Sequence, residues 1–218
     1  MSKQNFSDEP FAEIIESSLH TWRAQSWKWD HAPEYAQLLS VTSHNRTMFG
    51  IVYDIITGSS DPIRTPIAYQ KTEEELKQEQ PQIFAFLQTT FSCLILGYEE
   101  EEHLLYQVAP QPAKIHSFVR STSEKHGTHF FSQNGYLSLL YNNSGTVIHM
   151  EELLLALIKQ LSDKNILTQH HFNDITETFS LLTGRDYRKL RLFLQRAERI
   201  ITSFSLPVEH TYNNVYLS

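Results

Sequence analysis

Residues 49–100 read FGIVYDIITGSSDPIRTPIAYQKTEEELKQEQPQIFAFLQTTFSCLILGYEE, and this stretch decides the fold. Residues 48–57 are dense in β-branched and aromatic side chains and end at a Gly-Ser-Ser-Asp-Pro turn cluster, so they predict a strand. Residues 91–98 are apolar nearly throughout, which predicts a second strand buried on both faces. Further strands are predicted at 35–42 and 104–108, so the first half of the chain is expected to be rich in β-structure.

Between the two long strands the sequence carries a local helical signal. Thr72 and Glu75 are three residues apart and form a capping box, in which the hydroxyl and the carboxylate each satisfy a free backbone N–H. Pro81 predicts the first residue of another helix over 81–90, because the N–H that proline lacks would be unpaired there anyway. We therefore expect a helical insert at 72–90.

Residues 10–29 are compatible with two local structures. Their apolar side chains, from Phe11 to Trp22, recur at helical spacing, and this pattern alone slightly favours a helix. The same side chains also fit two short strands that are interrupted near Ser17 and Ser18.

The second half of the chain is predicted to be helical. Residues 150–162 begin with two carboxylates soon after Met150, and acidic side chains are favourable at a helix N-terminus. Two further helices are predicted at 172–183 and 185–204, separated by Gly184.

The charge distribution changes near the middle of the chain. Residues 1–120 hold nine basic and 16 acidic side chains, whereas residues 121–218 hold nine of each. The polar residues 121–134 lie at this change and are expected to form a linker. At the other end, residues 206–218 are expected to form a polar tail.

The composition is that of an ordinary globular protein. Of the 218 residues 20% are charged, and a net charge of −7 argues against polyanion binding by the molecule as a whole. The single cysteine, Cys93, excludes an internal disulfide framework and is expected to be a buried, unreactive thiol. No stretch is long and apolar enough to cross a membrane, and residues 1–10 are unlike a secretory signal. We therefore expect a cytoplasmic protein with no membrane partner.

Sequence motifs for several chemistries are missing. No glycine lies in a GxxxxGK[ST] or GxGxxG phosphate-binding pattern, and GxSxG, HExxH and CxxC do not occur. No cofactor, metal ligand or catalytic residue is therefore assigned, and a non-enzymatic protein is favoured. A catalytic site that assembles only in three dimensions stays open, because such sites are not contiguous in sequence.

Two groups of potential metal ligands have simpler explanations. The four glutamates at 99–102 are expected to form a solvated hairpin tip, because adjacent carboxylates without fixed geometry do not make a metal cage. The pairs His126/His129 and His170/His171 lack cysteine partners and a nearby pair of carboxylates, so they are expected to be polar loop and helix residues.

The last predicted helix carries a basic face. At about 100° per residue, five of its basic side chains fall in one sector and its apolar side chains in another. The five are Arg185, Arg188, Lys189, Arg196 and Arg199. Residues 185–199 hold six basic and two acidic side chains, a net charge of +4 that leaves −11 for the rest of the chain. Three interpretations stay open: a solvated face paired with the protein's own acids, a contact with an acidic protein surface, and nucleic-acid binding.

The order of these elements over residues 10–120 resembles the HAS-barrel family, the small β-barrel shared by HerA-type DNA-translocating ATPases and the N-terminal domains of ATP synthase subunits. The matching pieces are the strand at 50–54, the Asp61-Pro62 turn with Arg64 and Pro66, the helical insert ending in QPQI at 80–83, the strand that closes on Gly97-Tyr98, and the proline run before Ile115-His116. The resemblance covers about the first half of the chain.

The resemblance implies an α+β protein with a small closed β-barrel over 8–120, followed by a helical domain of about three helices over 135–205. Because a closed barrel needs about six strands to remove its exposed edges, the resemblance also implies that 10–29 forms strands. In HerA-type proteins a P-loop ATPase follows the barrel, and since this sequence has no P-loop, ATPase activity is not carried over.

The family role of the barrel implies a function for this chain. HAS barrels pack side by side and offer a docking surface, so we expect a non-enzymatic assembly or adaptor module. Such a module would self-associate or dock onto a separate ATPase or DNA-processing complex through a protein partner. The alternative is a nucleic-acid-binding protein that uses the basic helix 185–199.

Overall fold

A computed structural model describes residues 9–61, 63, 66–143 and 149–202 of the chain. The described part is an α+β structure in which seven strands come first and most of the helices follow. The strands are β1 (Pro10–Ser17), β2 (Thr21–Ser26), β3 (Leu38–Ser43), β4 (Arg46–Ser59), β5 (Leu87–Glu100), β6 (His103–Leu105) and β7 (Phe118–Ser121).

Six of the strands close into an antiparallel barrel. The order around the sheet is β2-β1-β7-β3-β4-β5, and a second pairing of β2 with β5 completes the circle. The short strand β6 pairs only with the far end of β5. Closure gives the six barrel strands a neighbour on both sides, so that backbone N–H and C=O groups are paired without an open sheet edge.

Residues 10–29 form the two strands β1 and β2, so the helix that the pattern slightly favours is wrong and the strands implied by the resemblance are confirmed. The reason is that burial along β1 departs from strict alternation. Phe11 and Ala12 are both buried where the register of β1 against β7 shifts, so the buried Phe11 and Ile14 lie three residues apart and imitate helical spacing. A β-bulge at Ile15 then shifts the register against β2 by one residue. In β2 the alternation is intact, with Trp22 and Ala24 buried.

The central strand β5 is buried on both faces, as its apolar sequence predicts. Phe91, Cys93 and Ile95 belong to the apolar core inside the barrel. Leu94 and Leu96 point to the opposite face and belong to a second core, which the C-terminal helices cover. The buried thiol of Cys93 is free, in agreement with the prediction from its apolar surroundings.

The insert between β4 and β5 is only partly as predicted. Helix α1 (Glu73–Glu79) begins with the predicted capping box of Thr72 and Glu75. After it, Pro81–Phe86 forms a short 3-10 helix, and β5 begins at Leu87. The helix predicted over 81–90 is therefore wrong at its C-terminal end. Residues 88–90 pair with 56–58 of β4, and this ladder overrides the local helical preference.

Five helices follow the barrel within the described residues, where about three are predicted. They are α2 (Glu124–Phe131), α3 (Gly135–Asn142), α4 (Met150–Asp163), α5 (Gln169–Leu182) and α6 (Tyr187–Thr202). The last three correspond to the predicted helices, although α6 begins two residues later than expected. Helices α2 and α3 have eight residues each, which is too short to give a clear helical period in sequence.

Helix α2 occupies most of the stretch 121–134, which the sequence predicts to be a linker. Ser123 caps the helix by accepting a hydrogen bond from the backbone N–H of His126, and Phe130 and Phe131 at its end are buried. The polar composition of the stretch therefore reflects a helix cap and an exposed face, and whether these residues link two domains stays a prediction. Whether residues 8–120 and 135–205 are separate domains stays a prediction.

The helices pack on the outside of the barrel at β3, β4 and β5. The ring of Phe130 lies 5.1 Å from that of Phe49 on β4, and the hydroxyl of Tyr106 donates a hydrogen bond of 2.5 Å to the Phe130 carbonyl. Buried apolar side chains on the outer face of the barrel pack with those of α2 to α6 in one continuous cluster. The position of every C-terminal helix therefore depends on the barrel wall.

Some of the predictions concern residues outside the described ranges. Among them are Pro62 and Arg64, which contribute to the resemblance, and the predicted tail at 206–218. Among the residues that are described, no helix has the length and apolar character required to cross a membrane.

We expect Gly50→Ala to destabilise the protein. A Cβ at this position would lie 2.5 Å from the Cη2 atom and 2.7 Å from the Cζ2 atom of the buried Trp22 ring. Overpacking of this kind costs about 1–3 kcal/mol of unfolding free energy. The matched control is Gly58→Ala in the same strand, where nothing lies within 4 Å of the added methyl group. Urea denaturation measures both variants, and equal midpoints would contradict the packing of Trp22 against Gly50.

Candidate functional site: the basic face of helix α6 and the acidic cleft of the barrel

Helix α6 begins after a tight turn that excludes one of the predicted site residues from the helix. Gly184 and Arg185 both adopt positive φ, at +64° and +62°. The carboxylate of Asp186 then accepts hydrogen bonds from the backbone N–H groups of Arg188, at 2.9 Å, and Lys189, at 3.3 Å. An aspartate cap of this kind determines the start of the helix. Arg185 is exposed but lies in the turn, so the prediction that it belongs to the helical stripe is wrong.

The apolar side of α6 packs against the other helices. Phe193 and Ala197 are fully buried, and the Phe193 ring stacks on Phe179 of α5 with the ring centres 4.1 Å apart. Leu190 and Ile201 are partly buried against the same core. This packing fixes the rotation of α6 and turns its basic side outward.

Arg196 makes an ion pair with two carboxylates of α4. Its guanidinium nitrogens lie 2.7 Å from an oxygen of Glu151 and 2.7 Å from an oxygen of Glu152. These bonds raise the pKa of the Arg196 guanidinium above its ordinary value, the hydrogen bond to Glu152 contributing most. One predicted site residue is therefore already neutralised by the protein's own acids.

The other predicted residues on α6 are exposed. Arg188 and Lys189 lie in its first turn and make no ion pair with another described residue, and Arg199 lies in the last turn. The sequence prediction omitted Arg191, which is also exposed.

An exposed leucine lies within the basic face. Leu192 stands four residues after Arg188 and four before Arg196, which puts the three side chains in one row along the helix. Its side chain is 60% exposed, although the helix has a well-formed apolar side for burying leucines. Helical periodicity alone would have found it, because Leu192 falls in the basic sector rather than in the apolar one.

A second feature is an acidic cleft of about 250 Å³ in the barrel wall. It lies where the β1–β2 hairpin meets β4 and β5, beside β-bulges at Ile15 and Tyr53. Its lining includes Glu16, Ser17, Arg23, Tyr53, Asp54 and Ile56. The sequence does not predict this cleft, because its residues come from four strands and the two bulges turn them toward one another.

The electrostatics of the cleft are dominated by its two carboxylates. Burial raises the pKa of the Tyr53 phenol, and the negative charges of Asp54 and Glu16 raise it further. The one cation in the lining, Arg23, donates a hydrogen bond of 3.1 Å to the Thr90 hydroxyl. A positively charged group in the cleft would therefore be stabilised.

Among the described residues, the histidines and hydroxyls that hydrogen-bond one another lie at helix caps. No group of three or more His, Cys, Asp or Glu residues in the described ranges could hold a metal ion. The hydroxyl–imidazole pairs Ser123–His126 and Thr168–His171 lie at the N-caps of α2 and α5, where they serve as helix caps. His171 also bridges two helices, because its Nε2 lies 2.7 Å from the Phe131 carbonyl oxygen.

Of the glutamates at 99–102, Glu101 and Glu102 form the predicted hairpin tip between β5 and β6, whereas Glu99 and Glu100 end β5 and are half-buried. Glu101 and Glu102 occupy the turn with positive φ and are exposed. Glu100 forms an ion pair with Arg46 of β4 at 2.8 Å. This contact pairs one of the four carboxylates within the protein.

No family model matches the chain, and no curated protein matches it.

We expect Arg196→Gln to reduce stability by about 0.5–1 kcal/mol, because two exposed carboxylates of α4 lose their shared counter-ion. The loss should be larger in low salt than in high salt, since screening already weakens the wild-type pairs. Arg191→Gln is the control, because Arg191 is exposed on the same helix and makes no ion pair with another described residue. The free energy of unfolding is measured by thermal or urea denaturation at two salt concentrations; guanidinium chloride is not used because it is itself a salt. A salt-independent loss would show that the ion pairs are not its cause.

Proposed function

We propose that this chain is a non-enzymatic assembly or adaptor module with a HAS-like barrel. It self-associates or docks onto a separate ATPase or DNA-processing complex, in the cytoplasm. The observation that carries the proposal is the outward face of α6, where Arg188 and Arg196 flank the exposed Leu192.

Leu192 favours a protein partner over nucleic acid for this face. Covering an exposed leucine removes apolar area from water, which stabilises a protein contact by about 25 cal/mol per Å² of that area. Phosphate groups offer no comparable apolar surface.

The barrel wall offers further support for a role in protein contacts. The helices cover β3, β4 and β5, whereas aromatic side chains on the opposite wall are partly exposed. Trp27, 53% exposed, lies edge-on against Phe118, 46% exposed, with the ring centres 5.5 Å apart. Exposed aromatic side chains of this kind are enriched at protein interfaces.

Nucleic-acid binding through the basic helix is the second candidate. Arg188, Lys189 and Arg191 are exposed within about one turn of α6, and no described acidic residue pairs with them. A cluster of this kind supports contacts with phosphate groups, whose strength falls steeply with salt.

Leu192→Ser tests the protein-contact candidate. We expect wild-type protein to form a defined oligomer as its concentration rises, and the variant to require a several-fold higher concentration, because the contact loses apolar area. Light scattering that gives absolute mass provides the measurement. The matched control is Leu181→Ser on α5, where the leucine is 44% exposed. A strict monomer would restrict the proposal to docking on a different protein, and ATP hydrolysis by the purified chain would overturn it.

The second candidate has its own test. Fluorescence anisotropy with a labelled DNA duplex should show binding that falls steeply with salt and that is lost on neutralising Arg188, Lys189 and Arg191 together. Leu192→Ser should leave such binding nearly unchanged. Binding lost in the triple variant and kept in Leu192→Ser would replace the adaptor proposal with the nucleic-acid one.

A further inference from the structure

The acidic cleft has the size of a receptor for one side chain. Its volume of about 250 Å³ lies below the roughly 300–1,000 Å³ of pockets that enclose drug-sized ligands. Glu16 and Asp54 supply carboxylates, and Ile56 supplies an apolar wall that is 52% exposed. An arginine side chain combines the matching parts, because its stem is apolar and its planar head pairs with carboxylates.

Polar atoms in the cleft lining lack good partners. The hydroxyl of Ser17 is buried and has no hydrogen-bond partner among the described residues. The indole N–H of Trp22, a residue only 1% exposed, finds no oxygen or nitrogen acceptor and faces the weakly accepting thiol of Cys93. Both atoms lie beneath the surface of the cleft, so the groups that an occupant can reach are the exposed carboxylates of Glu16 and Asp54.

Acids of the cleft and of helix α4 both act on one residue, Tyr35. Partial burial raises the pKa of Tyr35, and the charges of Glu152 on α4 and Asp54 in the cleft raise it further, so Tyr35 lies near both acids. Glu152 is in turn bound by Arg196 of α6. Tyr35 and Glu152 therefore connect the acids of the cleft with Arg196 of α6.

A molecule that exposes both an acidic and a basic region can be complementary to itself. When two copies meet about a two-fold axis, the basic region of each can oppose the acidic region of the other. The net charge of +4 on residues 185–199, against −11 for the rest of the chain, makes a second copy an electrostatically suitable partner.

We propose that the occupant of the acidic cleft is a second copy of this chain, whose Arg188 enters the cleft between Glu16 and Asp54 while its Leu192 is covered by the dimer interface. This inference rests on the proposed assembly function and names its partner. We assign Arg188 to this contact because it lies in one row with Leu192 and makes no ion pair with another described residue.

A charge swap tests the contact. Light scattering and analytical ultracentrifugation give the dimer dissociation constant for wild type, Arg188→Asp, Asp54→Arg and the double variant. Each single variant should raise the constant at least about tenfold, because like charges then meet in the cleft. The double variant restores opposite charges in both symmetric contacts, so it should recover most of the wild-type affinity.

Matched controls separate this contact from a general effect of charge. Glu101→Arg makes the same charge change as Asp54→Arg, but at the β5–β6 hairpin tip. Lys71→Asp makes the same charge change as Arg188→Asp, but in the insert between β4 and β5. Neither should change the dissociation constant more than about twofold. Circular dichroism checks that each variant folds, and Asp54→Asn serves as a milder variant that should weaken the dimer severalfold.

The outcomes distinguish this inference from the proposed function. A dimer that the single variants leave intact would overturn the cleft contact, while the assembly function would stand with another interface. A strict monomer at every concentration would overturn the inference and leave the assembly function to a different protein. Weakening in both single variants with recovery in the double variant would support Arg188 and Asp54 as direct partners.

Discussion

The antiparallel pairing of β2 with β5 is the interaction on which the rest of the structure depends. It spans Thr21–Gln25 against Thr90–Leu94 and converts an open sheet into a closed barrel. Closure brings Trp22 into the interior, where its ring lies so close to Gly50 that only glycine fits opposite it. It also brings the hairpin end of β1 and β2 against β4, and the acidic cleft lies at this junction.

Strand β5 transmits the barrel geometry to the helices. Its side chains alternate between the interior core and the core under the helices, so burial on both faces is a consequence of its central position. Phe49 on the neighbouring strand contacts Phe130, and the helical layer is built outward from such contacts. The orientation of α6 follows from the same layer through the stack of Phe193 on Phe179. A basic face at the surface is thus held by an apolar core beneath it.

The arginines of the basic face differ in how far their charge is already paired within the protein. Arg196 is bound by two glutamates, whereas Arg188 at the other end of the row makes no ion pair with another described residue. Leu192 between them adds apolar area that ion pairs alone would not use. Charge and apolar area together favour a protein surface as the partner, and the cleft offers carboxylates of the required sign.

Local sequence determined the strands around 48–57 and 91–98, the capping box of α1, and helices α4, α5 and α6, because their signals lie within one element. Tertiary structure decided the rest. Irregular burial at Phe11 and Ala12 made two strands imitate a helix, and eight-residue helices such as α2 were too short to show a period. The pairing of Arg196 with Glu151 and Glu152, and the meeting of Glu16 with Asp54 at the cleft, join residues more than 35 positions apart in sequence. No local pattern encodes such contacts, since they exist only once the barrel has closed and the helices have packed on it.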